Sequence, residues 1–363
     1  MKISMEQVLR GIRPVDPAWR AKARARLDDL AIPLNSLGSL LDLAEQLAAI
    51  KETMTPSVAR KMVVTMAGDH GVVAEGVSAF PQEVTPQMVH NFVAGGAAIN
   101  ILAEAAGAGV TVVDMGVAAD LSDLADQGKI LSCKVAYGTQ NMAKGPAMSR
   151  AQAVQALEAG IEIAGSLIEG GIELLGTGDM GIGNTTPSSA ILAVFSGKSP
   201  RQVTGRGTGI CDSALDNKIR VIETAIALNN PDPDDALDVL AKVGGFEIAG
   251  IAGLVLGAAY HRVPIVIDGF ISSAGALVAK HLAPNAIDYM IAAHQSVEPG
   301  HRYMLEELGL KPILNLNLRL GEGTGAALAM PIVETASRII HRMLTFTDAG
   351  VTGPGNPEVA AHA

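Results

Sequence analysis

The chain has 363 residues, of which 40 are glycine, with 48% apolar, 18% charged and only 3% aromatic residues. The apolar content excludes intrinsic disorder, the lack of a Gly-x-y period excludes collagen, and two cysteines cannot make a disulfide scaffold. A net charge of −10 disfavours nucleic acid and anionic lipid, so small-molecule partners are expected. Cys133 and Cys211 match no metal spacing and read as reduced cytosolic thiols. Residues 1–16 lack the apolar core of a secretory signal. The longest nearly uncharged run, Ile248 to Tyr260, is Gly-broken and shorter than the roughly 20 residues a bilayer requires. The expected location is the cytoplasm.

In chain order, Ser36 to Glu52 is helical without a strand. From about residue 61 short apolar runs alternate with helical patterns, which predicts an α/β fold: a parallel sheet with crossover helices flanking it. The strand-like runs are Met62 to Ala67, Val110 to Met115, Ile172 to Gly176, Pro264 to Ile267, Ile287 to Ala292 and Pro312 to Leu318. Thr85 to Ala106 reads as one helix with Thr85 as its cap and Pro86 at the first helical position, and Ser149 to Gln152 reads as a capping box. Ala326 to Leu344 is again helical without a strand. The expected organisation is residues 1–60 as the N-terminal part of a small helical domain and 61–325 as a large α/β catalytic domain. Residues 326–347 would be the helix completing the small domain, and 348–363 a flexible tail.

The chemistry-bearing residues follow the strands, where open α/β sheets bind ligands. Glycine concentrates in segments 68–76, 176–183, 205–209 and 321–325. Gly176, Gly178 and Gly181 fit G-x-G-x-x-G, but no acidic residue follows near position 201, and Lys198-Ser199 lacks the rest of a P-loop. Backbone N–H groups in such loops still favour an anion, and a mononucleotide phosphate suits them better than a dinucleotide. Glu322, flanked by Gly321 and Gly323 after the last strand-like run, is the candidate base, presented on a backbone that can approach a ligand closely. Asp179 could face it across a cleft. Asp268 is either a further site carboxylate or a helix cap and loop brace. Two carboxylates can divide their roles, one as base and one as electrostatic partner. His70, His294 and His301 form no metal motif and read as structural groups. No nucleophile elbow is present. Lys218 reads as a solvated helix residue, with a phosphate partner as the lesser reading.

Seven ordered motifs together carry a resemblance: GDHGVVAEGVSAFPQEVT, GDMGIGNTTPSSAI, GRGTGI, VGGFEIAGIAG, VIDGFISSAGAL, HQSVEPGH and LRLGEGTGAA. From about Leu37 to Leu344 the chain resembles the nicotinate-nucleotide:dimethylbenzimidazole phosphoribosyltransferase family, glycosyltransferases of cobalamin biosynthesis. The resemblance implies transfer of 5-phosphoribosyl from nicotinate mononucleotide to 5,6-dimethylbenzimidazole, a Rossmann-like sheet with a small helical domain, a homodimer, and no metal or other cofactor. It assigns the catalytic carboxylate to Glu322 and places Asp179, where some relatives carry Glu, at the site. It further implies a phosphate pocket of Gly181, Gly207, Lys218 and Ser296, and a base pocket of Phe80, Pro81, Gln87, Met180 and Leu320. The chain departs from the family near its start, reading Pro33-Leu34-Asn35-Ser36-Leu37-Gly38 where Pro-x-Gly-Ser-Leu-Gly is common.

Two other readings stay open at this point. A hydrolase would pass the ribosyl group to water at the same site, and a nucleotide-sensing module would bind without releasing nicotinate. An exposed, Gly-flanked carboxylate at Glu322 argues against the second.

Overall fold

The computed structural model describes residues 4–353. Six strands form one parallel sheet: β1 (Lys61–Gly68), β2 (Ala108–Gly116), β3 (Leu131–Ser132), β4 (Leu174–Met180), β5 (Ile265–Ile267) and β6 (Met290–Ala292), in the order β3-β2-β1-β4-β5-β6. The principal helices are α1 (Pro17–Asp28), α2 (Ser39–Lys51), α3 (Val84–Ala94), α4 (Ala98–Ala106), α5 (Arg150–Glu169) and α6 (Thr185–Ser196). They continue with α7 (Asp212–Asn229), α8 (Phe246–Tyr260), α9 (Phe270–Leu282), α10 (Pro299–Leu308) and α11 (Thr324–Arg342).

The two-residue period of a strand divides the apolar residues between the sheet's faces. Val64 and Met66 of β1, Val113 and Met115 of β2, and Ile265 and Ile267 of β5 bury against α8 and α9, with α5 packed on α8 in the same core. Their alternates Val63, Ala67, Val112, Leu174 and Val266 bury against a second layer containing α2, α4 and α11. Both faces are covered, which is why the strands read as continuous apolar runs. The Gly-rich α8 is buried all round; a Cβ at Gly253 would collide with the Leu157 carbonyl oxygen of α5, so only glycine permits that approach. Among the described residues no helix is long and apolar enough to cross a membrane.

Helices from both ends of the chain meet. The α2 and α11 helices pack together and α1 packs on α2. The ends are tied by an antiparallel bridge between Leu30 and Thr345 and by the Arg26 guanidinium donating to the Met343 carbonyl.

Four sequence expectations change. The Thr85–Ala106 helix is two helices, because Gly95 with φ +77° ends α3 and the chain restarts at Ala98. Thr85 is not its cap: the helix begins at Val84, and the Thr85 hydroxyl accepts from the Ile182 N–H. The third strand is displaced, running Leu174–Met180, so Gly176, Gly178 and Asp179 lie in β4 itself. Residues 312–318 form no strand beyond a single bridge from Leu314 to His294, and the short edge strand β3 has too little pattern to be read. The expected tail falls partly outside the described residues; within them Phe346–Ala349 forms a helical turn.

Candidate active site

Strand order reverses between β1 and β4, whose crossover connections leave toward opposite ends of the sheet and open a crevice at their carboxyl ends. Gly68, Asp69 and His70 close β1 there, and Asp179 and Met180 close β4. The loop carrying Glu322 lies directly on β4. A Cβ at Gly178 would collide with the Glu322 carbonyl oxygen, and the Glu322 N–H donates to the Asp179 carbonyl at 3.1 Å. Glu322 itself has φ +63° between Gly321 and Gly323, both also at positive φ. Left-handed backbone costs a residue with a Cβ about 1 kcal/mol or more, so the surrounding contacts must hold it there. They are visible: the Thr65 hydroxyl donates to the Glu322 carbonyl at 2.8 Å, and the Gly323 N–H donates to Asp268 Oδ2 at 3.2 Å.

The Glu322 side chain is not exposed, as its loop had suggested, but 5% accessible. Its Oε2 accepts the Ile99 N–H at 3.2 Å, at the start of α4, where Ala97 has no side-chain acceptor of its own. Burial raises the Glu322 carboxyl while that N–H pulls the other way. The result is a carboxylate with one oxygen held on a helix N-terminus.

Asp179 is also buried. Asn184 Nδ2 donates to its Oδ2 at 3.1 Å, while its Oδ1 has no partner. Burial, then the charges of Asp268, Glu247 and Glu322, hold its carboxyl well above the usual range. Asp268, at the end of β5, has the contacts of a brace: its oxygens accept from the Gly323 and Ala326 N–H groups at the start of α11, beside the Glu322 loop. Burial pushes it up to about 7.

A second group of residues assembles one layer away. Lys218 is not on a solvated face: it is fully buried, donating to Thr185 Oγ1 at 2.6 Å, and burial lowers it to about 8. A Cβ at Gly207 would lie 3.3 Å from the Lys218 ammonium, so the GRGTG loop and Lys218 meet. Ser296 is buried beside them, with its N–H donating to His301 Nδ1 at 2.8 Å and its hydroxyl accepting from the Glu298 N–H. Gly181 packs instead against the end of β1, where a Cβ would collide with the Gly68 carbonyl oxygen.

The remaining residues lie at the surface. Phe80 and Leu320 are 51% and 58% exposed, Pro81 and Gln87 are exposed, and Met180 is half-buried. Their loops are joined: the Ala79 N–H donates to Thr208 Oγ1 at 3.0 Å, and Arg319 Nη1 donates to the Gly207 carbonyl at 3.4 Å. Phe80, Gly207 and Leu320 therefore sit on mutually tethered loops, the last of them continuing into the Glu322 loop. An apolar cavity of 560 Å³ between α2, α11 and β6 contains none of these residues.

Sequence reading passed over two features. His70 Nε2 lies 2.8 Å from Glu247 Oε1, both fully buried; burial lowers the His70 imidazole, but the charge and hydrogen bond of Glu247 together with the charge of Asp69 raise it overall. Glu247 sat in an apolar helical run, and only that one charged residue in it could have signalled the pair. Glu298 caps α10 and accepts from the Gly207 N–H at 2.9 Å; its place in HQSVEPGH was the available signal. Among the described residues no group of three or more His, Cys, Asp and Glu is arranged to hold a metal ion.

Known proteins resemble the chain over nearly its whole length. A family model described as Phosphoribosyltransferase matches residues 12–351. A protein of Geobacter metallireducens named nicotinate-nucleotide--dimethylbenzimidazole phosphoribosyltransferase is 58% identical over 347 residues, 96% of this chain and 98% of that one. A protein of the same name from Syntrophotalea carbinolica is 60% identical over 341 residues, 94% of this chain and 96% of that one. Among solved structures, CobT from Thermus thermophilus superposes with a TM-score of 0.89 at 49% identity, covering 93% of this chain and 100% of that one.

Proposed function

The chain belongs to the phosphoribosyltransferase family, and we propose on that premise that it moves the 5-phosphoribosyl group of nicotinate mononucleotide onto 5,6-dimethylbenzimidazole. The products are nicotinate and α-ribazole 5′-phosphate, for the nucleotide loop of cobalamin. One observation carries the reading: Glu322 and Asp179, from different elements, converge at the switch point of the sheet, with a buried lysine, Lys218 of α7, against the Gly205–Gly207 loop.

The pyridinium nitrogen of nicotinate mononucleotide leaves C1′ with the bonding electron pair and becomes neutral, so it needs no general acid. The benzimidazole nitrogen attacks the opposite face, inverting β to α in one displacement without a covalent enzyme intermediate. As that bond forms, the proton on the other ring nitrogen of the benzimidazole passes to Glu322, whose burial lifts its basicity toward that task. Asp179 favours positive charge developing on the ribose when ionised. Lys218, Gly207, Gly181 and Ser296 hold the phosphate as a handle, converting binding into orientation. Phe80, Pro81, Gln87, Met180 and Leu320 line the place of the flat base, with Phe80 as the stacking ring. Asp268 acts by fixing the Glu322 loop. The reading includes a cytoplasmic homodimer and, as a working division, residues 61–325 as the catalytic domain with 1–60 and 326–347 as a small helical one.

Turnover of nicotinate mononucleotide against a panel of bases tests this, with products identified by mass and anomeric configuration. The expected result is an α-ribotide formed with 5,6-dimethylbenzimidazole. Release of ribose 5-phosphate regardless of added base would replace the transferase by a hydrolase, and binding without nicotinate release would leave only a binding module.

A further inference from the structure

Lys218 of α7 and Glu298 before α10 are both buried against the Gly205–Gly207 loop, yet they do not form an ion pair. Lys218 is inaccessible to solvent; its ammonium reaches Thr185 Oγ1 and, at 3.4 Å, the Gly205 carbonyl. Among the described residues no carboxylate oxygen lies within ion-pair distance of it, although it feels the charge of Glu298. Glu298 is 7% exposed, and its Oε1 takes the Gly207 N–H at 2.9 Å. Its Oε2 is buried without a hydrogen-bond partner, against Gly205, where there is no room for a Cβ.

A buried cation and a buried carboxylate oxygen, each left short of partners, are costly. The arrangement has a chemical sense if another anion uses the same donors. Gly207, at φ +49°, is a close neighbour of Lys218: a Cβ on it would lie 3.3 Å from the Lys218 ammonium, while its N–H is held by Glu298. A phosphate bound by both groups would meet the Glu298 carboxylate on one of its two donors. Arg319 does not relieve the conflict, since its guanidinium is committed to the outer side of the loop at the Gly207 carbonyl. Arg206 is paired with Asp212.

We propose that Glu298 is a specificity-determining residue of the phosphate pocket: its carboxylate competes with the substrate phosphate for the Gly207 N–H and is displaced when the phosphate binds. The inference deepens the pocket assigned under the proposed function and rests on it. An anion must displace the resident carboxylate, so a phosphate dianion that can draw on charged Lys218 is accepted and a weaker monoanion is not. Ser296 and His301 supply the frame, because the Glu298 N–H is held by Ser296 Oγ and the Glu298 carbonyl by the His301 N–H.

The test is inorganic phosphate binding to the full chain by titration calorimetry at pH 7, with chloride and acetate as monoanion controls. Glu298→Gln keeps an acceptor for Gly207 but removes the charge, and it should bind phosphate about tenfold more tightly while narrowing the margin over acetate. Glu298→Asp retains the charge and should stay within about threefold of wild type. Equal or weaker phosphate binding by a Glu298→Gln variant that melts like wild type overturns the proposal. If that variant does not fold, a crystal structure of the wild-type protein with phosphate decides. Glu298 turned away from the Gly207 N–H supports the competition, and Glu298 still bound there with phosphate on Lys218 refutes it. Base transfer is read separately by turnover, so phosphate competition without turnover would defeat the enzymatic reading and leave this one standing.

Discussion

The two ends of the sheet treat buried charge in opposite ways. At the amino end of β1, Lys61 pairs with Glu334, which also holds Arg338, and Glu173 accepts from the Ser57 hydroxyl and the Ala59 and Arg60 N–H groups. At the carboxyl end Asp69, Asp179, Glu247, Asp268 and Glu322 are all buried, and among the described residues Asp179 Oδ1 and Glu247 Oε2 have no hydrogen-bond partner. Within that group His70 pairs with Glu247, and His294 lies 3.9 Å from Asp268. One end is assembled as a stable structure would be. The other accumulates like charges out of water, a cost that folding alone has no reason to bear.

The sharpest way to test that division is at Glu322. Glu322→Gln keeps an acceptor for the Ile99 N–H but cannot take a proton, so base transfer should fall about 10²- to 10⁴-fold with little change in melting temperature. Near-normal turnover would remove Glu322 from the chemistry. At the opposite end, Glu334→Ala strands the Lys61 ammonium and should cost about 3 kcal/mol in denaturant unfolding while kcat/KM stays within about twofold. A matching loss of activity would break the contrast between the two ends.

Lys218→Met belongs to the functional end and should raise KM for nicotinate mononucleotide about 10- to 100-fold, more than it lowers kcat. The smallest effect concerns pH. The Asp179 carboxyl is raised in the folded chain, so its protonated form is favoured by folding. Its contribution is fully present below the ordinary carboxylate range and is lost as pH rises through the folded value. Asp179→Asn cannot lose a proton and should gain stability relative to wild type as pH rises above the ordinary carboxylate range. Parallel stability curves for the two proteins would show that Asp179 carries no such strain.

Legibility followed the same division. Strands β1, β2 and β5 were readable because burial on both faces makes them continuous apolar runs, and the Ser149 cap was readable because its chemistry lies within four residues. The Glu322 loop was readable as a Gly-flanked carboxylate after an apolar run. Residues 312–318 show the limit: alternating Ile313, Leu314, Leu316 and Leu318 suits a strand, but the segment makes only a bridge. Lys218 shows another. A lysine on a helix faces water by default, and what buries this one is the Gly205–Gly207 loop folding over it from earlier in the chain.

The sequence by itself determined the alternation of strands and helices, the position of the polar loops after the strands, and Glu322 as the candidate base, since these depend on local periodicity and neighbouring residues. Only the tertiary structure decided that Glu322 is buried on the α4 helix end, that Asp268 braces its loop, and that Lys218 and Glu298 share a pocket without pairing. Burial and charge coupling depend on residues 58 to 223 positions apart being brought within hydrogen-bonding distance, and no local pattern encodes that approach.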